Sequence, residues 1–303
     1  MRVVVALGGN ALLERGEPPE AAVQLGHIQK AAHALAQLAA EHELIICHGN
    51  GPQVGLLALE SAADRSLSRP YPLDALGAQT QGMIGYWLTQ SLRNAGVTKP
   101  VLAVVTQTVV DPADPAFADP AKFVGPVYPH DQAQRLADLR GWTIAPDGEH
   151  WRRVVPSPTP QRIVEQYSID ALVAAGTVVV CGGGGGAPVI DAAGLRGVEA
   201  VVDKDLTATL LAVAVDADRL LLLTDVPGVM ARFGTPDAAV LPRLDLDELA
   251  DMTFPAGSMG PKIDACRRFV TATGRPAAIG ALADASAVLA GANGTTIRSG
   301  KAT

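Results

Sequence analysis

Lysine is scarce in this chain of 303 residues, occurring only as Lys30, Lys99, Lys122, Lys204, Lys262 and Lys301. The formal net charge is -7 and no basic run of five or more residues occurs, which argues against a general nucleic-acid or acidic-membrane surface. An anionic ligand must therefore be held by a few individually placed cations. Cysteine is scarcer still: Cys47, Cys181 and Cys266 are odd in number, far apart and without CxxC spacing. Neither a disulfide framework nor a zinc site is indicated, and a reducing cytoplasm is the expected setting. Nowhere do 18 apolar residues run together, and the apolar run in MRVVVALGGN is too short for a signal-peptide core. What the chain does have is 48% hydrophobic residues, enough for a large core, with 31 glycines and 22 prolines for shaped loops. Its length suggests two lobes.

Val3 to Leu7 and Leu44 to Cys47 are short apolar runs that stop at Gly8-Gly9-Asn10 and at His48-Gly49-Asn50-Gly51-Pro52. Both read as buried strands. Between them, residues 20 to 41 carry apolar positions at helical spacing, and this strand, helix, strand order predicts a parallel sheet covered by helices. Further strands are expected at Val101 to Thr106, Thr177 to Cys181 and Arg219 to Thr224, with a long helix from Leu73 to Ala95. Residues 111 to 160 interrupt the alternation. They are dense in proline and hold Trp142 and Trp151, which suits a small inserted subdomain better than a loop. Val189 to Val202 reads as a hairpin.

The five glycines at 182 to 186 satisfy GxGxxA through Gly182, Gly184 and Ala187. That fingerprint needs a helix directly after it, whereas Pro188 and the expected hairpin follow, so a dinucleotide site is disfavoured. Close approach of a ligand to bare backbone is the preferred reading, with a plain turn as the alternative. The loops Gly8, Gly9, Asn10 and Gly49, Asn50, Gly51 each follow a strand. There, backbone N–H groups can hold an anion, although ordinary strand-to-helix turns favour the same residues. His48 has no second histidine or carboxylate at metal spacing and reads as structural.

Lys204 sits between Asp203 and Asp205 in VEAVVDKDL, read as a strand meeting a helix, with Asp203 as a candidate N-cap. Lys262 follows GSMGP, and Lys122 precedes Phe-Val-Gly-Pro in the insertion, where a solvated surface lysine would be ordinary.

GGNAL at 8 to 12, HGNGPQVG at 48 to 55, DALGAQTQGMIGYWL at 74 to 88, WRRVVPSP at 151 to 158, VEAVVDKDL at 198 to 206 and GSMGPK at 257 to 262 resemble the carbamate kinase branch of the amino acid kinase family nearly end to end. LTDVPGV at 223 to 229 is common across the wider family. The resemblance implies an α/β three-layer sandwich with a mainly parallel central sheet. Residues 1–215 would form the acceptor lobe, with a protruding subdomain at about 111–160, and residues 216–303 the nucleotide lobe. It implies reversible phosphoryl transfer between ATP and carbamate, giving ADP and carbamoyl phosphate, used for ATP synthesis within arginine metabolism. Lys204 and Lys262 would be paired catalytic lysines organised by Asp205, with Lys122 closing over the acceptor. Gly8, Gly9, Asn10, Gly49, Asn50 and Gly51 would hold the acceptor and the transferring group, while Thr224, Asp225, Gly228, Val229 and Met259 would line the nucleotide site. Mg2+ would arrive with ATP or ADP rather than on protein ligands, and the chain would be a homodimer. Thr159 stands where relatives often carry lysine, and Pro227 where they often carry an acid. The rival readings are another acyl-phosphate kinase of this fold, such as one for acetylglutamate, and a non-catalytic sensor, which would be expected to have lost Lys204, Asp205 or Lys262.

Overall fold

The computed structural model describes residues 1–14, 16–254 and 259–300. An eight-stranded sheet runs through the molecule in the spatial order Arg243–Asp245, Thr295–Arg298, Ala277–Ala281, Arg219–Thr224, Arg2–Leu7, Glu43–His48, Val178–Val180, Val101–Ala103. Every neighbouring pair is parallel except Ala277–Ala281 with Thr295–Arg298. The mainly parallel α/β architecture expected from the alternating elements is the one observed.

Alternation along each strand divides the core into two layers. Val4 and Ala6 pack against Leu211, Phe269 and Val173 on one face. Val3, Val5 and Leu7 pack against Ile28, Leu35, Ile84 and Leu88 on the other. The helices Gln166–Ala174, Lys204–Ala214 and Met259–Thr273 cover the first face, and Ala21–Glu41 and Leu73–Asn94 the second. Each fully buried valine or leucine contributes roughly 1.5–3 kcal/mol. Strands buried on both sides explain why these segments read as continuous apolar runs.

Because the central strands are parallel, their C-terminal ends lie on one edge of the sheet. That edge carries Gly8 and Gly9, then His48 to Asn50, then Gly182 to Gly186, then Thr224 and Asp225. Loops at the carboxyl ends of parallel strands are where α/β sheets bind ligands.

A second, four-stranded sheet joins Leu195–Gly197, Ala187–Asp191, Gln107–Val110 and Pro160–Ile163. Its first pair is the expected hairpin. Val198 to Val202 departs from the expected strand: it runs without ladder pairing into the helix Lys204–Ala214, with Ala200 and Val202 buried. The apolar character of this stretch reflects burial as a loop. Residues 111–159 leave the body between the paired strands Gln107–Val110 and Pro160–Ile163. They form a three-stranded antiparallel sheet, Lys122–Tyr128, His150–Val155 and Thr143–Asp147, with the helix His130–Arg140. This layer lies so close to the helix Gly51–Ala63 that a Cβ on Gly55 would come within 2.2 Å of the Gly125 Cα. Glycine at both positions permits that approach.

Among the described residues, no helix is long and apolar enough to cross a membrane.

Candidate active site

Lys204 opens the helix Lys204–Ala214, and Asp203 caps it, accepting hydrogen bonds from the backbone N–H groups of Asp205 and Leu206 through Oδ1. The cap directs the first turn toward the loop edge of the sheet. Lys262, in the first turn of Met259–Thr273, stands on the adjoining helix, tied alongside by a bond from the Thr209 hydroxyl to the Ala265 carbonyl at 3.0 Å. Between the two lysines lies Asp205, buried at 4% exposure. Lys204 Nζ donates to Asp205 Oδ1 at 2.5 Å and Lys262 Nζ to Oδ2 at 3.0 Å.

Burial alone would raise the Asp205 carboxyl, but the two ammonium groups outweigh it and hold the group well below the usual carboxylate range. Burial pulls Lys204 downward, helped by the charge of Lys262 and opposed by Asp205. For Lys262 burial also pulls downward, yet Asp205 prevails and the group is raised. Lys122 reaches in from the inserted layer, its Nζ 2.6 Å from Asp203 Oδ2. Three ammonium groups thus face two carboxylates, leaving one positive charge in excess.

The glycine loops meet beside this cluster. A Cβ on Gly49 would lie 3.0 Å from both Cα and N of Gly9 and 3.5 Å from Lys204 Cε. Gly8 N donates to the Leu223 carbonyl at 2.8 Å, placing that loop against Thr224. Asn50 occupies the N-cap position of the helix Gly51–Ala63 without a side-chain capping bond, and donates from Nδ2 to the Thr80 hydroxyl at 2.8 Å. Thr80 and Gln81 belong to the GAQTQG stretch, and Gln81 exchanges two bonds with the backbone of Thr106. That stretch therefore props the loop edge from behind. Asn10 falls in the short turn Gly9–Ala11, which is one 3-10 turn rather than the start of a longer helix. The next helix begins only at Ala21.

The five glycines pack closely against protein. Gly184, Gly185 and Gly186 have positive φ, and side chains at positions 183 to 186 would strike His48, Asn50, the Val202 carbonyl and Thr108 respectively. His48 ends the strand Glu43–His48. It is buried, its Nδ1–H donates to the Gly49 carbonyl at 2.9 Å, and burial together with the nearby Lys204 charge pushes its pKa down to about 4.

On the other side of Gly8 and Gly9 opens a cavity of about 620 Å³ lined by Thr224, Asp225, Gly228, Val229, Met259 and Lys262. The size is that of a cofactor pocket. All five residues that the resemblance assigned to the nucleotide line this cavity. Arg232, Phe233, Met252 and Phe254 also line it and were not singled out from sequence. A signal was available: the chain has only five phenylalanines, and two of them sit here. Thr159 lies in the linker returning from the insertion, where its N–H donates to Asp114. Pro227 is exposed next to pocket-lining Val226 and Gly228. Gly257 and Ser258 of GSMGPK lie outside the described residues.

A charged cluster beside two glycine loops, opening on a cofactor-sized pocket at the strand ends of a parallel sheet, is the arrangement expected of a phosphotransferase. The chain belongs to the amino acid kinase family, whose model matches residues 1–281. Within that family its relatives are carbamate kinases. The carbamate kinase of Rhizobium meliloti is 51% identical over 99% of this chain and 94% of its own length. That of Escherichia coli K12 is 48% identical over 97% and 98%. Among solved structures, carbamate kinase from Giardia lamblia bound to AMP-PNP is 38% identical and matches with a TM-score of 0.89, covering 98% of both chains.

Proposed function

We propose that this chain transfers the γ-phosphoryl group of ATP to carbamate, reversibly, and that it works mainly toward ATP from carbamoyl phosphate and ADP. The observation that carries the reading is Asp205 gripping Lys204 and Lys262 with its two oxygens at the junction of the glycine loops and the pocket. Lys262 lines the pocket and would neutralise the nucleotide phosphates. Lys204 lies by Gly49, so it is placed to meet the acceptor and the group in flight. Carbamate is already an oxyanion and needs no general base; its difficulty is repulsion from a charged phosphate. Fixed cations and backbone N–H donors answer that difficulty. Gly8, Gly9 and Asn10 with Gly49, Asn50 and Gly51 would hold carbamate and the transferring group. Thr224, Asp225, Gly228, Val229 and Met259 would hold the nucleotide. Residues 1–215 would then serve the acceptor and 216–303 the nucleotide, with Lys122 closing over the acceptor.

Among the described residues no three His, Cys, Asp or Glu side chains cluster as a metal cage. Mg2+ would arrive on the nucleotide, since this ion keeps waters and phosphate oxygens as ligands. It would supply charge neutralisation across the phosphates. A cytoplasmic homodimer belongs to the same reading. Its support is apolar surface at the sheet edge, where Leu102, Val105 and Tyr86 are exposed.

The deciding experiment compares carbamoyl phosphate, acetyl phosphate and N-acetylglutamyl phosphate as phosphoryl donors to ADP in one coupled assay. Carbamoyl phosphate should be preferred by orders of magnitude; preference for N-acetylglutamyl phosphate would reassign the acceptor.

A further inference from the structure

Asp203 has two oxygens and two separate duties. Oδ1 takes the N–H groups of Asp205 and Leu206 and so fixes the first turn that carries Lys204. Oδ2 takes Lys122 from the inserted layer at 2.6 Å, across 81 residues of sequence. The carboxylate is mostly buried, at 14% exposure, and its partner Lys122 retains 39%. Burial would raise the Asp203 carboxyl, but Lys122 is the foremost of the charges that hold it down. Around the pair stand Lys204, Lys262 and Asp205, so the groups facing Asp203 are mainly cationic.

We propose that Asp203 is a positioning residue: a latch that holds the inserted subdomain closed through Lys122 and couples closure to the placement of Lys204. The cap and the latch share one side chain, so movement of the subdomain is felt directly at the turn bearing the catalytic lysine. An ion pair between the inserted layer and the body would bias an equilibrium between open and closed forms. If only the closed form binds the acceptor, the apparent affinity falls in proportion to the closed fraction. The role in acceptor use rests on the proposed function; the closure itself does not.

Asp203→Asn separates the two duties, because asparagine caps helices about as well as aspartate but carries no charge for Lys122. In the variant, KM for carbamoyl phosphate should rise about tenfold, by a larger factor than kcat falls, the pattern of a lowered closed fraction. In the absence of any substrate, proteinase K should cut residues 111–159 faster in Asp203→Asn, in Lys122→Met and, to the same extent, in the double variant. Equal rates in all three are the signature of one shared contact. A structural cap alone would leave both KM and cleavage at wild-type values, and that result would overturn the latch. So would a lowered KM, which would mean that Asp203 competes with the acceptor for Lys122. Should carbamoyl phosphate prove not to be a substrate at all, the cleavage arm still decides the latch on its own.

Discussion

Gly49 and Gly9 touch backbone to backbone: a Cβ on Gly49 would lie 3.0 Å from two main-chain atoms of Gly9. Neither partner is a flexible side chain, so a methyl group must push the two loops apart by a few tenths of an ångström. Gly49→Ala is expected to lower kcat at least about tenfold, because misplacement of reacting groups by an ångström can cost about a hundredfold. The melting temperature should change little, since both loops lie at the rim of the sheet. Turnover at the wild-type rate would show that the contact has slack.

Asp205→Asn leaves two ammonium groups side by side without the carboxylate that compensates them. Breaking a buried pair by removing one partner costs roughly 3–5 kcal/mol. Urea unfolding should register a loss of that order, and phosphoryl transfer should fall at least about a hundredfold. A variant as stable as the parent would mean that the lysines are better hydrated than their burial implies.

The sheet edge also fixes an acid sensitivity. His48 is buried and neutral with its pKa pushed from 6.5 to about 4, so between these values the unfolded chain binds the proton that the folded chain refuses. Stability attributable to His48 is therefore full above about pH 6.5 and is lost as pH falls toward 4, by roughly 3 kcal/mol in all. Asp205 acts at lower pH. Its depressed carboxyl contributes stability that is full above the ordinary aspartate pKa and is lost only below it. Unfolding free energies measured from pH 7 to pH 4 should decline in wild type and decline markedly less in His48→Gln. Parallel profiles would place the titration elsewhere.

These residues also mark how far the sequence could be read. Strands buried on both faces announce themselves as apolar runs, which is why Val3 to Leu7 and Arg219 to Thr224 were legible. Val198 to Val202 is also mostly apolar but is a loop, with Ala200 and Val202 buried and the Val202 carbonyl against Gly185, and local pattern cannot separate burial in a ladder from burial without one. The five-glycine run shows a related limit. Glycine signals close approach without naming the neighbour, and here the neighbours are His48, Asn50, Val202 and Thr108. Lysine scarcity pointed to Lys204 and Lys262, and Asp203 was legible as a cap. Its bond to Lys122 was not, because a contact between distant segments leaves no periodicity behind.

Phosphoryl transfer through Lys204 is tested most directly by ATP formed from ADP, magnesium and carbamoyl phosphate, followed by coupled luminescence for wild type and for Lys204→Met. Wild type should generate ATP in proportion to enzyme, and Lys204→Met, folded by circular dichroism, should be slower by about a hundredfold or more. No ATP from wild type, or equal rates from both proteins, would contradict the account.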